Sequence, residues 1–232
     1  MEYGSNAPRT ALVVVAHHRP DSLTAHIGRR TVTQLETAGF RVDLLDLNGE
    51  GFDPRMTVAD QPDWNDRDKV YSAEVGAHMD RMLAADHVIV VFPVYWGSVP
   101  ALLKGWIDRV WNYGFAYGHS TPRLAGRTIL WLGLAGATSS DPVVEAMRAM
   151  LDNQLNASIA YYCGFDRSTV GLLTDAEENP QSVSPEGELL IGDAVSANER
   201  DAHYAEFERR AADFVTASLA ADREAVGAES RR

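Results

Sequence analysis

The sequence is poor in cysteine and in basic residues, and no stretch of it is long and apolar enough to suggest a membrane span. Its single cysteine, Cys163, cannot form an intrachain disulfide, which favours a reducing compartment. Lysine and arginine number 21 against 33 aspartate and glutamate, so the formal net charge is −12. Proteins that bind nucleic acid or anionic lipid need clustered positive charge. We therefore expect a cytoplasmic protein with no nucleic-acid partner and no direct membrane insertion.

What the sequence does contain is an alternation of apolar strands and amphipathic helices. The uninterrupted β-branched runs at 11–16 and 87–92 are typical of strands buried on both faces of a parallel sheet. Further strands are predicted near 40–47, 128–134 and 168–173, with helices between them. Parallel neighbours require crossover connections, so this order predicts a doubly wound, five-stranded α/β fold. A chain of 232 residues that is 45% apolar suits one domain with tails.

Ligands of such sheets bind beyond the carboxyl ends of the strands, which makes the loops after strands one, three and four the candidate site. The first loop, 17–24, lacks both G-x-G-x-x-G and G-x-x-x-x-G-K-[ST]. It opens a helix, however, and helix N-termini attract phosphate. Ser22 and Thr24 add hydroxyl donors, and His17 and Arg19 add polar or positive contacts. The alternative is that Ser22 only caps the helix and that the two histidines are exposed loop residues.

The loop after strand three carries two large aromatic side chains, Tyr95 and Trp96, next to the flexible Gly97. These aromatics could stack on a planar ring, although Trp96 could instead pack in the core under the following helix. The loop after strand four, 133–136, is nearly free of side chains and permits close backbone approach. A phosphate site, an aromatic wall and a bare backbone ledge together suit a flavin mononucleotide moiety.

The stretch FPVYWGSVPALLKGWIDRVWNYGFAYG, residues 92–118, closely resembles the flavodoxin-like NAD(P)H:quinone oxidoreductase family. This family includes quinone reductases of the DT-diaphorase type and bacterial ancillary flavoproteins of potassium efflux systems. Supporting similarities lie at 16–24, 51–57, 84–90 and 161–165. The resemblance covers most of residues 11–175.

The resemblance implies a flavodoxin-like sheet of strand order 2-1-3-4-5 and a homodimer with the active site at the subunit interface. It implies a flavin-dependent NAD(P)H oxidoreductase with a ping-pong two-electron mechanism. Hydride would pass from NAD(P)H through flavin N5 to a quinone or a similar flat electrophile. FAD is slightly favoured over FMN, because the long connection 48–69 resembles the FAD-binding branch.

Site residues follow from the same resemblance, position by position. The residues implied to hold the flavin are His17, Ser22, Leu23, Thr24, Pro93, Val94, Tyr95, Trp96, Gly97, Gly133, Leu134, Ala135 and Gly136. The residues implied to border the substrate pocket are Trp96, Gly97, Tyr117 and His119. No catalytic acid is assigned, because the Tyr and His relay of the vertebrate quinone reductases has no counterpart in 137–144. No metal ligand is assigned.

Two departures from the family pattern affect the predicted pocket. Residues 133–136 read G-L-A-G where the family usually has T-T-G-G, so two hydroxyl contacts to the flavin are missing. Gly97 stands where relatives often place an aromatic residue, which predicts more room above the ring. Two alternative functions stay open, a flavodoxin-type electron carrier and an ancillary regulatory flavoprotein of an efflux system. Flavodoxins are less similar, since their phosphate loop is T-x-T-G-x-T.

The predicted organisation is an N-terminal tail at 1–10, a flavin-binding domain at 11–215 and the end of a helix with a C-terminal tail at 216–232. Within the domain, 174–197 is an acidic loop insertion and 198–215 a C-terminal helix. The insertion holds Asp175, Glu177, Glu178, Glu186, Glu188 and Asp193 and no lysine or arginine. We expect a lid, a dimer arm or a mobile loop, and deletion of residues 176–192 should leave flavin binding intact while altering the substrate range or the strength of the dimer.

Two further side chains are predicted to be structural. Cys163 lies among apolar and aromatic residues, a setting that raises the pKa of a thiol and suits a small buried side chain rather than a redox centre. Arg109 falls on the polar face of the helix near 101–112, together with Asp108 and Asn112, and this face is predicted to be solvated, the alternative being that Asp108 and Arg109 pair across an interface. The opposite face carries the apolar stripe that includes Trp106 and Trp111.

Overall fold

The computed structural model describes residues 8–177, 179, 181–185, 187–193 and 195–229. Residues 1–7 of the predicted N-terminal tail (1–10) and residues 230–232 of the predicted C-terminal segment (216–232) lie outside these residues, as do Glu178 and Glu186 of the acidic insertion. The strands are β1 (Thr10–Val15), β2 (Arg41–Asp46), β3 (His87–Pro93), β4 (Thr128–Leu134), β5 (Arg167–Leu173), β6 (Gln181–Val183) and β7 (Leu189–Ile191). The α-helices are α1 (Leu23–Thr37), α2 (Ala73–Leu83), α3 (Ala101–Val110), α4 (Val143–Asp152) and α5 (Ala197–Glu229).

The main sheet is parallel throughout and has the order β2-β1-β3-β4-β5, which confirms the predicted fold. Strands β1, β3 and β4 are buried along nearly their whole length, because helices cover both faces of the sheet. Edge strand β2 exposes more of its residues, including Leu44. The strand-ending loops that form the candidate site therefore meet at one edge of the sheet.

The helices divide between the two faces. Helices α1 and α5 pack over one face, with Ile27, Leu35 and Phe207 in its core. Helices α2, α3 and α4 cover the other face, where Trp106 and Trp131 are completely buried. The predicted apolar stripe of α3 faces this second core. Among the helices of the described residues, none is both long enough and apolar enough to cross a bilayer.

Two elements depart from the predicted pattern. A π-helical segment, Asn153–Ala160, continues directly from α4, and the sequence did not predict it because its apolar spacing resembles that of an α-helix. Strands β6 and β7 form a small antiparallel hairpin inside the predicted acidic loop 174–197. The expectation of an insertion without strands is therefore wrong at this point.

Arg109 on helix α3 and Asn112 just after its end are buried, being 3% and 2% exposed, so the prediction of a solvated polar face is wrong for them. Arg109 Nη2 donates to Asp60 Oδ2 at 2.7 Å and to Glu74 Oε2 at 2.9 Å. The amide of Asn112 donates to the Asp60 carbonyl. Only Asp108 keeps the predicted exposed position, where it pairs with Lys104. The sequence alone could not distinguish the buried Arg109 from the exposed Asp108, because Arg109 is buried by its ion pair with Asp60, which is distant in the sequence.

Asp60 is the centre of this network, since it is fully buried and anchors the long connection between β2 and α2. Burial alone would raise its pKa, but hydrogen bonds from Arg109, from Ser72 and from Thr57 hold the pKa below its ordinary value. The carboxylate therefore stays charged inside the protein. Its ion pair fastens the connection against α3.

We expect Arg109→Met to lower the free energy of unfolding by about 3–5 kcal/mol, because it leaves the Asp60 carboxylate buried without its partner. The matched control is Lys104→Met on the same helix, which breaks an exposed pair with Asp108 and should cost no more than about 1 kcal/mol. Urea denaturation followed by circular dichroism measures both. Equal losses in the two variants would contradict the role assigned to Asp60.

Candidate functional site

A cleft of about 460 Å³ opens beyond the carboxyl ends of β1, β3 and β4. Its volume lies within the range of small-molecule and cofactor sites. The predicted flavin-binding residues that line it are His17, Ser22, Leu23, Thr24, Pro93, Val94, Tyr95, Leu134 and Gly136. Arg19, predicted as a polar or positive contact of the first loop, also lines it, and the lining residues that were not predicted are His18, Ala176, Glu177, Asn179 and Ile191. The cleft thus brings all three predicted loops together.

One end of the cleft is the N-terminus of helix α1. Ser22 is the N-cap, and its Oγ accepts from the backbone N–H of Ala25 at 3.1 Å while donating to the Arg19 carbonyl at 3.0 Å. Ser22 therefore caps the helix and also lines the cleft. The first N–H groups of a helix have no intrahelical partner, so those of Leu23 and Thr24 remain as donors at the cleft. The Thr24 hydroxyl has no hydrogen-bond partner within the described part of the chain.

Polarity at this end comes from the helix more than from charged side chains. The rings of His17 and His18 stack with centroids 4.5 Å apart. Burial lowers the pKa of His17, and the neighbouring His18 lowers it further. The Nδ1 atom of His17 accepts a hydrogen bond from the backbone N–H of Arg19. A neutral His17 consequently carries its proton on Nε2 and is a hydrogen-bond donor without charge. The Arg19 guanidinium pairs with Asp21 at 3.0 Å.

The other end of the cleft is bordered by a tight turn after β3. Tyr95 and Ser98 exchange two backbone hydrogen bonds of 3.0 Å, and the central residues Trp96 and Gly97 have φ values of +53° and +71°. Positive φ at both central positions defines a type I′ turn, which a tryptophan adopts only with strain. Trp96 is completely exposed at the tip, so it neither packs in the core nor lines the cleft.

Gly97 also lies outside the cleft lining, and the space beside it is filled. A Cβ placed on Gly97 would lie 2.6 Å from the methyl carbon of Met150, on helix α4. The expectation that Gly97 leaves more room above a bound ring is therefore wrong, because Met150 of the same chain fills the space beside Gly97. The sequence comparison could not detect Met150, because it lies more than fifty positions further along.

Only part of the predicted backbone ledge, residues 133–136, lines the cleft. The Leu134 carbonyl accepts from Val94, and Ala135 donates to Leu173 and accepts from Ala176. Gly133 lies inside β4, where a Cβ would meet Val94 at 2.8 Å. Neither Gly133 nor Ala135 lines the cleft, because the backbone of each continues the sheet. Leu134 and Gly136 are the two residues of the ledge that line the cleft, and of these only Gly136 lacks a side chain.

The segment after β5 forms a wall of the cleft that the motifs did not reveal. Asp175 donates its backbone N–H to the Ala137 carbonyl at 2.9 Å, and Ala176 donates to the Ala135 carbonyl at the same distance. These bonds place Ala176 and Glu177 beside Gly136. Because this segment lines the cleft, the expectation that its removal leaves ligand binding intact loses its basis. The only sequence signal was the density of acidic residues.

Tyr117 and His119 do not line this cleft. Tyr117 belongs to a set of neighbouring rings that we call the aromatic patch and that comprises Trp64, Tyr113, Tyr117 and Tyr162. Burial, followed by the neighbouring Tyr162, raises the pKa of Tyr117, so its hydroxyl stays protonated. His119 Nε2 is 2.9 Å from the Gly114 carbonyl. The two predicted substrate-pocket residues therefore share a different surface from the flavin candidates.

Cys163 is 4% exposed, and burial raises the pKa of its thiol to about 12. A thiol that stays protonated and buried is a poor nucleophile. This burial agrees with the structural role predicted for it. Within the described residues, no group of three or more His, Cys, Asp and Glu side chains is arranged to hold a metal ion.

Comparison with known proteins agrees with this geometry. Residues 9–188 match the family model described as "flavodoxin-like fold". The chain is 38% identical over 161 residues to the "uncharacterized NAD(P)H oxidoreductase YcaK" of Escherichia coli (strain K12), covering 69% of this chain and 81% of that protein. It is 31% identical over 182 residues to the ribosyldihydronicotinamide dehydrogenase (quinone) of Mus musculus, covering 68% and 78% respectively.

Among solved structures, the fold is similar to that of the NAD(P)H:quinone oxidoreductase from Methanothermobacter marburgensis. The TM-score is 0.69 at 20% identity, with 90% of this chain and 96% of the other covered. The chain belongs to the flavodoxin-like NAD(P)H:quinone oxidoreductase family and is an oxidoreductase. This family assignment confirms the resemblance detected at residues 92–118.

Proposed function

We propose that the chain binds a flavin in the cleft and transfers electrons from NAD(P)H to a quinone or a similar flat electrophile. The observation that carries the proposal is the convergence of three features in one cleft. These are the donors at the start of α1, the aromatic Tyr95 and the exposed ledge at Gly136. A phosphorylated planar group fits this arrangement, since helix N-termini bind phosphate and bare backbone permits close approach to a ring.

The residues have separate tasks in this proposal. The backbone N–H groups of Leu23 and Thr24, with the Thr24 hydroxyl, hold the flavin phosphate, and His17 Nε2 adds an uncharged donor. Pro93, Val94 and Tyr95 orient the ring against Gly136. A flavin held by these residues would supply the redox chemistry, taking hydride from NAD(P)H and giving two electrons to the acceptor. Donor and acceptor use the same space in turn, which makes the kinetics ping-pong.

FAD is the preferred cofactor in this proposal. The long connection between β2 and α2 approaches the phosphate end of the cleft, where the Asn48 amide donates to the His18 carbonyl at 3.2 Å. A segment in this position is suitably placed to contact a group attached beyond the first phosphate. Among the structural neighbours, a general stress protein of Treponema denticola was solved in complex with FMN. Both forms share the phosphate that α1 would hold.

We further propose a homodimer that works in the cytoplasm and uses the aromatic patch as part of its interface. Trp64 and Tyr162 of the patch are 65% and 63% exposed, and Tyr161, which precedes Tyr162 in the chain, is 82% exposed. Exposed apolar surface of this kind marks interaction sites. In such a dimer, Tyr117 and His119 of one subunit would border the cleft of the other, which would give the two separate surfaces one pocket.

The function is tested by anaerobic mixing of the flavin-loaded protein with NADPH or NADH. We expect rapid bleaching of the flavin absorbance without any added reductase, and recovery when a quinone is added. Parallel double-reciprocal plots at varied quinone would support the ping-pong scheme, and chromatography of the heat-released cofactor distinguishes FAD from FMN. A protein that binds no flavin would refute the proposal. Bleaching that needs a partner reductase would favour the electron-carrier alternative.

We expect Thr24→Val to weaken FMN binding about tenfold or more, because it removes a hydrogen bond to a charged phosphate. Riboflavin, which lacks the phosphate, should bind as before. Thr31→Val is the matched control, since Thr31 is also buried on α1 but lies outside the cleft. Fluorescence titration measures the affinities of each variant and of the unaltered protein for FMN and for riboflavin. Equal weakening of FMN and riboflavin would contradict the placement of the phosphate.

We expect Tyr162→Asp to produce monomers at concentrations where the unaltered protein is dimeric, because it places a charge in an apolar interface. Thr33→Asp is the control, on α1 at the opposite face of the sheet. Sedimentation velocity measures the mass of each variant. A monomeric unaltered protein, or dissociation in both variants, would refute the proposed interface. Co-purification with a membrane protein would instead favour the ancillary-subunit alternative.

A further inference from the structure

A carboxylate lies directly against the exposed ledge of the cleft. Glu177 Oε1 lies 2.6 Å, and its Cγ 2.7 Å, from the position that a Cβ on Gly136 would occupy. Glu177 and Tyr95 line the same cleft. Burial raises the pKa of the Tyr95 hydroxyl, and the nearby charge of Glu177 raises it further. The carboxylate is therefore at the end of the cleft assigned to the ring rather than at the end assigned to the phosphate.

Backbone hydrogen bonds fix where this side chain begins. The neighbouring Ala176 is bonded to Ala135, and Asp175 to Ala137. Asp175 also accepts from the backbone N–H of Ser139 at 3.1 Å and has a positive φ of 66°. Arg210 on α5 donates to the Thr174 carbonyl at 3.1 Å. The chain leading to Glu177 is thus attached both to the loop after β4 and to α5.

The charges facing Glu177 across the cleft do not neutralise it. His17 is uncharged at neutral pH because burial lowers its pKa, and Arg19 is paired with Asp21. Tyr95 carries a neutral hydroxyl. Among the described residues that line the cleft, His18 is the remaining titratable one. None of the described residues forms a salt bridge or a hydrogen bond with the Glu177 carboxylate.

We propose that Glu177 sets the reduction potential of the bound flavin by holding a negative charge beside the ring. This inference rests on the proposed flavin site. Hydride from NAD(P)H brings two electrons and one proton, so a neutral ring that takes it up gains one negative charge unless a second proton follows from water. A nearby carboxylate disfavours that added charge. Glu177 therefore weakens binding of the reduced cofactor relative to the oxidised one and makes it a stronger donor to the acceptor.

The experiment compares Glu177→Gln, which keeps the shape and removes the charge, with the unaltered protein. We expect oxidised flavin to bind within about threefold of the original affinity. Reduced flavin should bind about tenfold more tightly, equivalent to a shift of ~30 mV toward positive potential for a two-electron couple. Equilibration with a redox dye measures the potential, and fluorescence titration measures the affinity of the oxidised form.

Two control variants isolate the effect of the charge at this position. Glu188→Gln removes the same charge from an exposed residue of the acidic segment outside the cleft and should leave the potential unchanged. Glu177→Asp keeps the charge and should stay close to the original potential. An unchanged potential in Glu177→Gln would overturn the inference, and so would an equal shift in Glu188→Gln.

The remaining outcomes separate this inference from the proposed function. If the unaltered protein binds no flavin, the proposed function fails and the inference falls with it. If Glu177→Gln binds oxidised FMN more tightly but riboflavin as before, with no change in potential, Glu177 acts on the phosphate and the inference is wrong. If Glu177→Gln loses oxidised flavin, the carboxylate is a cofactor ligand, which also overturns the assigned role.

Discussion

The parallel pairing of β1, β3 and β4 is the constraint on which the rest of the structure depends. Parallel neighbours cannot be joined by tight turns, so each connection must cross a face of the sheet as a helix. Helices on both faces bury the central strands, and every strand then delivers its following loop to the same edge. The helix start at Leu23, the turn at Tyr95 and the ledge at Gly136 meet in one cleft for this reason.

The loops at the edge of the sheet do not enclose the cleft by themselves. Two connections whose described residues form no helix, one between β2 and α2 and one between β5 and α5, lie next to these loops. The connection between β2 and α2 is fastened by the buried pair of Asp60 and Arg109, and it carries Trp64 to the aromatic patch. The segment between β5 and α5 brings Ala176 and Glu177 to the cleft. The first attachment depends on a charge pair that is stable only because further hydrogen bonds satisfy the buried carboxylate.

The cleft supplies binding and orientation more than proton chemistry. The end of the cleft at the start of α1 offers backbone donors and a neutral His17, and the backbone of Ala135 is hydrogen-bonded to Leu173 and Ala176. Such a site suits an enzyme in which the cofactor performs the electron transfer and the protein sets its position and electrostatics. Membership of the NAD(P)H:quinone oxidoreductase family agrees with this division. Glu177 adds a charge beside the bare backbone of Gly136.

Local pattern in the sequence determined the elements. The β-branched runs predict β1 and β3, the cap at Ser22 predicts the start of α1, and the alternation of strands and helices predicts the sheet. Tertiary structure alone decided the burial of Arg109, the exposure of Trp96 and the position of Glu177. The burial of Arg109 and the position of Glu177 depend on partners far along the chain, Asp60 and Gly136, and Trp96 is exposed because its turn directs it away from the core. Periodicity reports which residues share a face, but only the folded chain decides what that face meets.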